Sequence, residues 1–172
     1  AAIALCCVWH SVAVCDSKMN ALGNTYSWNY MAPSEMCNRS RHDAALADRL
    51  YRRTGCMPHV TYVRESLRYL RENGLDLKDK LLPSQGGYNF FRMTGEFLET
   101  LNILCGTGLV DVDTTEFDDF AMEYAGVRRD QFGQKAFYRD VRPLNAEAAQ
   151  LLGVAQGIPV VPAHADGALN QI

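Results

Sequence analysis

The chain has 172 residues, of which 48% are hydrophobic and 22% are charged, and its formal net charge is -3. This composition excludes a disordered chain and a fibre with a glycine period, and no apolar run reaches the length of about 18 residues that a membrane-spanning helix needs. The near-neutral charge gives no general indication of nucleic acid as a partner. The length predicts a single domain over residues 1–172.

The first segment is apolar and contains several of the cysteines. The chain starts with Ala1 instead of methionine, which favours a processed protein, exported or organellar rather than cytosolic. Residues 3–15 predict a buried first helix or strand. Six cysteines without a CxxC pair allow up to three disulfides, whose pairing the sequence leaves open and which we expect over free thiols.

Apolar periodicity and end signals predict helices over most of the remaining chain. Ser34 and Gly55 suit the start and stop of a helix over 34–54, and apolar spacing of three and four residues marks a second one over 61–73. Further helices are predicted over 89–104, 113–124 and 145–152, with a short strand at 109–112, an extended segment at 158–162 and a frayed tail at 163–172. The prediction is a mostly α, single compact helical domain with a few short extended segments, and an α+β fold is the alternative.

Four side chains form a pattern of possible metal ligands. His10 is followed by the doublet His42-Asp43 on a predicted helix and, much later, by Asp111. This order is similar to that of HD-domain phosphohydrolases. The resemblance implies a mostly helical fold and a divalent ion that activates water, held by these four residues. A small metal-dependent phosphohydrolase is therefore one alternative function.

A second alternative is an exported cysteine hydrolase. Cys37 lies near the start of a predicted helix, where the helix dipole can lower the pKa of a thiol. His164 follows the extended segment and could act as the base.

Arginines and aromatic residues indicate binding more strongly than catalysis. Residues 39–72 contain eight arginines and four acidic residues, and three aromatic side chains alternate with polar residues at 26–30. Guanidinium groups suit carboxylate or phosphate contacts, and aromatic residues often anchor interfaces. We therefore favour a non-enzymatic accessory or scaffolding subunit that binds a protein partner, or a phosphorylated ligand, without a cofactor. The predicted contacts are Arg39, Arg41, Arg52, Arg53, Arg64, Arg68, Trp28 and Tyr30.

Overall fold

A computed structural model describes residues 1–170 of the chain. One strand precedes a run of four helices, which are the longer ones, and the other strands lie in the second half of the chain. The strands are β1 (Ile3–Cys7), β2 (Leu98–Thr100), β3 (Gln134–Ala136), β4 (Arg142–Pro143) and β5 (Pro159–Ala165). The helices are α1 (Ser34–His42), α2 (Ala44–Thr54), α3 (Val63–Glu72), α4 (Gln85–Thr94), α5 (Leu101–Cys105), α6 (Asp119–Ala125), α7 (Ala146–Leu152) and α8 (Asp166–Leu169).

The central sheet joins the two ends of the chain. β5 lies in its middle, parallel to β1 on one side and antiparallel to β4 on the other, while β2 and β3 form a separate parallel pair. Cys7 pairs with Ala165 at the carboxyl ends of β1 and β5. The segments that follow these two strands therefore leave the sheet side by side, which is where ligands bind in parallel α/β sheets.

A helix packs very closely on this sheet through a glycine. A Cβ atom on Gly86 of α4 would lie 2.6 Å from Cβ of Ala163 and 2.7 Å from Sγ of Cys7. No real Cβ tolerates such distances, so the approach of α4 to β1 and β5 depends on the missing side chain. A larger residue here would push the helix away from the sheet.

A second layer of helices packs around a core of its own. Leu50 of α2, Leu67 of α3 and Ala121 of α6 are fully buried in one apolar cluster. Burying side chains such as Leu50 and Leu67 stabilises the fold by roughly 1.5–3 kcal/mol each.

Among residues 1–170, every helix is too short or too polar to cross a lipid bilayer.

The prediction of a mostly helical domain is wrong. Helices make up 39% and strands 16% of the structure, and the strands include parallel pairs. The largest error is the helix predicted over 89–104, where Gly95 adopts a left-handed conformation with φ of 85° and ends α4. The chain then continues as β2 and the short α5, because parallel pairing with β3 holds Leu98–Thr100 in an extended conformation.

Other boundaries also differ from the prediction. The helix predicted over 34–54 is two helices, because Asp43 is extended and caps α2 by accepting a hydrogen bond from the Leu46 amide. Residues 163–165 complete β5 and 166–169 form α8, although the sequence predicts a frayed tail over 163–172; residues 171 and 172 of that prediction lie outside the described residues. All six cysteines are free thiols, so the expected disulfides are contradicted.

Candidate functional site

Asp166 is held at the carboxyl end of the central strand. Its Oδ1 accepts hydrogen bonds from the backbone amides of Trp9, at 3.1 Å, and Gly167, at 2.7 Å. Trp9 follows β1 and Asp166 follows β5, so the parallel pairing of these strands brings the two residues together. No described residue donates a hydrogen bond to Oδ2, which leaves that oxygen available to a ligand.

His10 stands beside this carboxylate in a fixed orientation. Its Nδ1 lies 2.6 Å from the carbonyl oxygen of Gly106. A carbonyl only accepts, so Nδ1 must carry the proton of this bond. Burial lowers the pKa of His10, opposed by the Gly106 carbonyl and by Asp166. The ring is therefore neutral near pH 7, and Nε2, which carries no proton, is a hydrogen-bond acceptor.

The backbone at His10 is strained. Its φ of 53° lies in the left-handed region, which costs a residue with a side chain roughly 1–3 kcal/mol. Such strain clusters at binding and catalytic sites, where neighbouring contacts hold the residue in place. Here the ring of Trp9 stacks on His10 with 4.7 Å between centroids, and Tyr62 meets it edge-on at 5.4 Å.

Two glycines make room for the Trp9 ring. A Cβ on Gly106 would lie 2.0 Å from Nε1 of Trp9, and one on Gly167 would lie 2.9 Å from the same ring. Within the described residues Nε1 is buried without a hydrogen-bond partner. Packing between the glycines, rather than a hydrogen bond, therefore sets the position of the indole. Together, Trp9, His10, Gly106, Asp166 and Gly167 form what we call the strand-end site.

The strand-end site contains one of the four predicted metal ligands, and the other three lie elsewhere. His42 contacts the carbonyl oxygen of Asn38 on the exposed side of α1, at 2.7 Å. Asp43 caps α2, and Asp111 accepts hydrogen bonds from Thr114 that lower its pKa. No group of three His, Cys, Asp or Glu side chains within residues 1–170 could hold a metal ion.

The predicted cysteine–histidine pair is also separated. Cys37 is buried beside Glu65, with Sγ 3.9 Å from the carboxylate, and burial and that carboxylate raise its pKa to about 12. This is the opposite of the lowered pKa expected at a helix start, because α1 buries the thiol next to a negative charge. His164 lies at the end of β5, where Nδ1 is 2.8 Å from the amide of Asn102.

The predicted binding arginines are divided among several environments. Arg64 is fully buried and binds Glu65, so its place in an exposed docking surface is wrong. Arg41 donates to the Pro58 carbonyl, while the other paired arginines bind acidic side chains of the same chain. These pairs are Arg52–Asp48, Arg53–Asp118 and Arg68–Glu72.

Fewer of the predicted binding residues are exposed and without a partner in the described part of the chain. Arg39 is exposed on α1, and the side chain of Trp28 is 56% exposed. Tyr30 is half-buried between Tyr26 and Tyr69, which explains its position by packing. Binding of a protein or a phosphorylated ligand by these residues stays a prediction.

Comparison with known proteins identifies the domain. The family model described as "FGGY family of carbohydrate kinases, N-terminal domain" matches residues 1–172. The chain belongs to this family. Its FGGY domain has an α/β ribonuclease-H-like fold, which corrects the mostly helical prediction. Membership in a family of kinases also contradicts the non-enzymatic subunit and the two hydrolase hypotheses.

Solved structures agree with this fold. Gluconate kinase and ligand-bound xylulose kinase from Lactobacillus acidophilus superpose with TM-scores of 0.90 and 0.91, at 22% and 21% identity over 98% and 99% of this chain. Glycerol kinase from Plasmodium falciparum with ADP gives 0.86 at 13% identity over 96% of the chain. This chain spans about a third of the length of each of these proteins, 35%, 35% and 34%. No sequence among curated proteins matches it significantly.

The sequence contained a signal for the residues that our prediction missed. Asp166 follows the apolar run at 158–163, and Trp9-His10 follows the apolar run at 3–8. Two buried strands that each end in polar residues mark one edge of a parallel sheet. An apolar run such as residues 3–8 does not by itself reveal its partner strand, so it predicts a buried segment without connecting the two ends of the chain.

Proposed function

We propose that this chain supplies the sugar-binding side of the active site of a carbohydrate kinase, with Asp166 as the base. The observation that carries the proposal is the position of the Asp166 carboxylate. One oxygen is held by two backbone amides at the end of the central strand, and the other oxygen is available beside the neutral ring of His10. An oriented carboxylate next to a hydrogen-bond acceptor suits a ligand with several hydroxyl groups.

Asp166 would act on the hydroxyl that becomes phosphorylated. Oδ2 accepts the hydrogen bond of this hydroxyl and takes its proton while the hydroxyl oxygen forms a bond to phosphorus. The bond between that phosphorus and the leaving oxygen of the donor breaks in the same step. In protein kinases an aspartate of the catalytic loop has this role, and the remainder of catalysis is positioning and charge stabilisation.

His10 would bind a neighbouring hydroxyl rather than transfer a proton. Because Nδ1 is committed to the Gly106 carbonyl, Nε2 accepts from the sugar and fixes its rotation about the reacting carbon. Gluconate, xylulose and glycerol, named in the structural neighbours, share adjacent hydroxyl groups that could contact both residues. A small polyol or sugar is therefore the substrate class that we propose.

The phosphoryl donor is expected to be a nucleoside triphosphate, since the neighbouring glycerol kinase is described with ADP. Such donors are bound with a divalent ion, which neutralises the developing charge. The described residues contain no cluster of three acidic, histidine or cysteine side chains for this ion. A resident ion held by three such side chains therefore does not fit the described residues, and no step of the proposal passes through a metal.

Replacement of the carboxylate tests the assignment of the base. In protein that contains residues 1–172, kcat for phosphorylation of gluconate, xylulose or glycerol with ATP would fall by about 10²- to 10⁴-fold in Asp166→Asn, the usual contribution of a general base. The Kd for the sugar should change little, because the amide keeps the shape of the side chain. Steady-state kinetics and calorimetric sugar binding measure both quantities.

Asp113→Asn is the matched control, because Asp113 is an exposed aspartate outside the strand-end site. Its kcat should equal that of the wild type. Retention of more than a tenth of the wild-type kcat in Asp166→Asn would exclude Asp166 as the base. The proposed function would be overturned if the wild-type protein transferred phosphate neither to these three compounds nor to any other polyol.

A further inference from the structure

A cleft of about 480 Å³ lies at the carboxyl ends of β2, β3 and β5. Trp9, Leu101, Phe137 and Tyr138 contribute apolar walls, and no charged side chain is among the described residues that line it. Its size is within the range of small-molecule sites, which are mostly apolar with a few oriented polar groups. We call it the aromatic cleft.

The aromatic cleft exposes large apolar side chains to solvent. Phe137 is 46% and Tyr138 66% exposed. Both follow β3 directly, so the strand end holds them at one side of the opening. Neighbouring exposed aromatic residues on a rigid element often mark a place where a ligand is bound.

A chain of hydrogen bonds orients the polar group in this cleft. The hydroxyl oxygen of Thr100 lies 2.6 Å from the carbonyl oxygen of Ala163 and 2.9 Å from Oδ1 of Asn102, whose Nδ2 faces Nδ1 of His164. A hydroxyl has one proton, and the carbonyl can only accept, so that proton lies on the bond to Ala163. Oδ1 of Asn102 and the Thr100 oxygen would then share no proton, so a half-turn of the amide, which brings its NH₂ group to Thr100, satisfies this contact.

This orientation determines the tautomer of His164. With its NH₂ group on Thr100, Asn102 presents its oxygen to Nδ1 of His164, which is 2.8 Å away. The oxygen and nitrogen of an amide are interchanged by a half-turn, and the hydrogen bonds decide between the two arrangements. Nδ1 of His164 therefore carries a proton. Burial lowers the pKa of His164, so the ring is neutral and Nε2 is an acceptor.

We propose that the aromatic cleft binds a neutral, planar aromatic compound with one N–H or O–H group that donates to Nε2 of His164. The aromatic walls favour a flat ring, and the absence of a charged side chain among the described lining residues disfavours an ion, whose desolvation would be uncompensated. No described residue donates to Nε2, so the N–H or O–H group of the ligand would supply the hydrogen bond that this nitrogen lacks. The proposal does not depend on sugar phosphorylation.

Two probes that differ by one donor test it. The full chain is titrated with 2-naphthol and with 2-methoxynaphthalene, which has the same ring system without an O–H group, by ligand-observed NMR or calorimetry. We expect 2-naphthol to bind about three- to tenfold more tightly, the range of one net hydrogen bond. His164→Phe should remove this preference and keep the binding of the ether. His42→Phe, a histidine exposed on α1, should preserve the preference.

Nitrogen-15 NMR of the histidine rings gives an independent readout. We expect the ring of His164 to carry its proton on Nδ1. The nitrogen-15 resonance of Nε2 should shift when 2-naphthol binds. A proton on Nε2, equal affinity for the two probes, or binding of neither probe would each overturn the proposal. Loss of the preference in His42→Phe would also refute it, since that binding would lie elsewhere.

Discussion

Glu99 is a fully buried carboxylate in β2, and it makes the stability of the domain depend on pH. Its oxygens accept hydrogen bonds from the amide and the hydroxyl of Ser84, at 2.7 and 2.8 Å. Burial raises the pKa of Glu99 from 4.5 to about 7, although both bonds to Ser84 act to lower it. The folded protein therefore keeps a proton on Glu99 at pH values where an unfolded chain has lost it.

The sign and size of the effect follow from this difference. Below pH 4.5 both states hold the proton, and between 4.5 and 7 only the folded state does, so the free energy of unfolding decreases as the pH rises. Above about pH 7 both states are ionised and the decrease ends. The difference between 4.5 and about 7 corresponds to roughly 3 kcal/mol, at about 1.4 kcal/mol for each pH unit.

Glu99→Gln removes the titration and keeps an acceptor for the Ser84 amide. Urea unfolding, followed by circular dichroism from pH 4 to 8, should show that the wild type loses about 3 kcal/mol relative to this variant across the window. The difference between the two proteins is the relevant quantity, because burial lowers the pKa of His10 and of His164 and these groups titrate with the opposite sign. In Glu123→Gln, an exposed control, the wild-type slope should remain. Parallel curves for wild type and Glu99→Gln would refute the reasoning.

Three further perturbations test the interior and the strand-end site. Arg64→Met should reduce the free energy of unfolding by about 3–5 kcal/mol, because it leaves the buried carboxylate of Glu65 without its cation; a loss below 1 kcal/mol would contradict this, measured by urea unfolding. Gly106→Ala should displace the Trp9 ring, whose Nε1 lies 2.0 Å from the new Cβ, and weaken sugar binding at least tenfold; unchanged calorimetric affinity would oppose it. Cys37 should resist iodoacetamide at pH 7.5 while the exposed cysteines react, because burial raises its pKa to about 12, and peptide mass spectrometry would reveal early labelling that contradicts this.

Helix ends that depend on neighbouring residues were predictable from the sequence. Asn145 caps α7 by accepting from the Ala148 amide, and Gly153 ends it in a left-handed conformation, within the predicted 145–152. The prediction failed where a distant partner decides the local structure. The residues on both sides of Leu98–Thr100 favour a helix, but pairing with β3 makes this segment a strand.

The sequence by itself determined the local features of this protein, which are its apolar segments, the residues that cap its helices and the glycines at which helices end. It contained all residues of the strand-end site but not their proximity. Trp9 and Asp166 are 157 positions apart, and only the parallel pairing of β1 with β5 places the amide of one against the carboxylate of the other. Short-range capping bonds are encoded by adjacent side chains, whereas a site at the ends of two strands exists only after the sheet has formed.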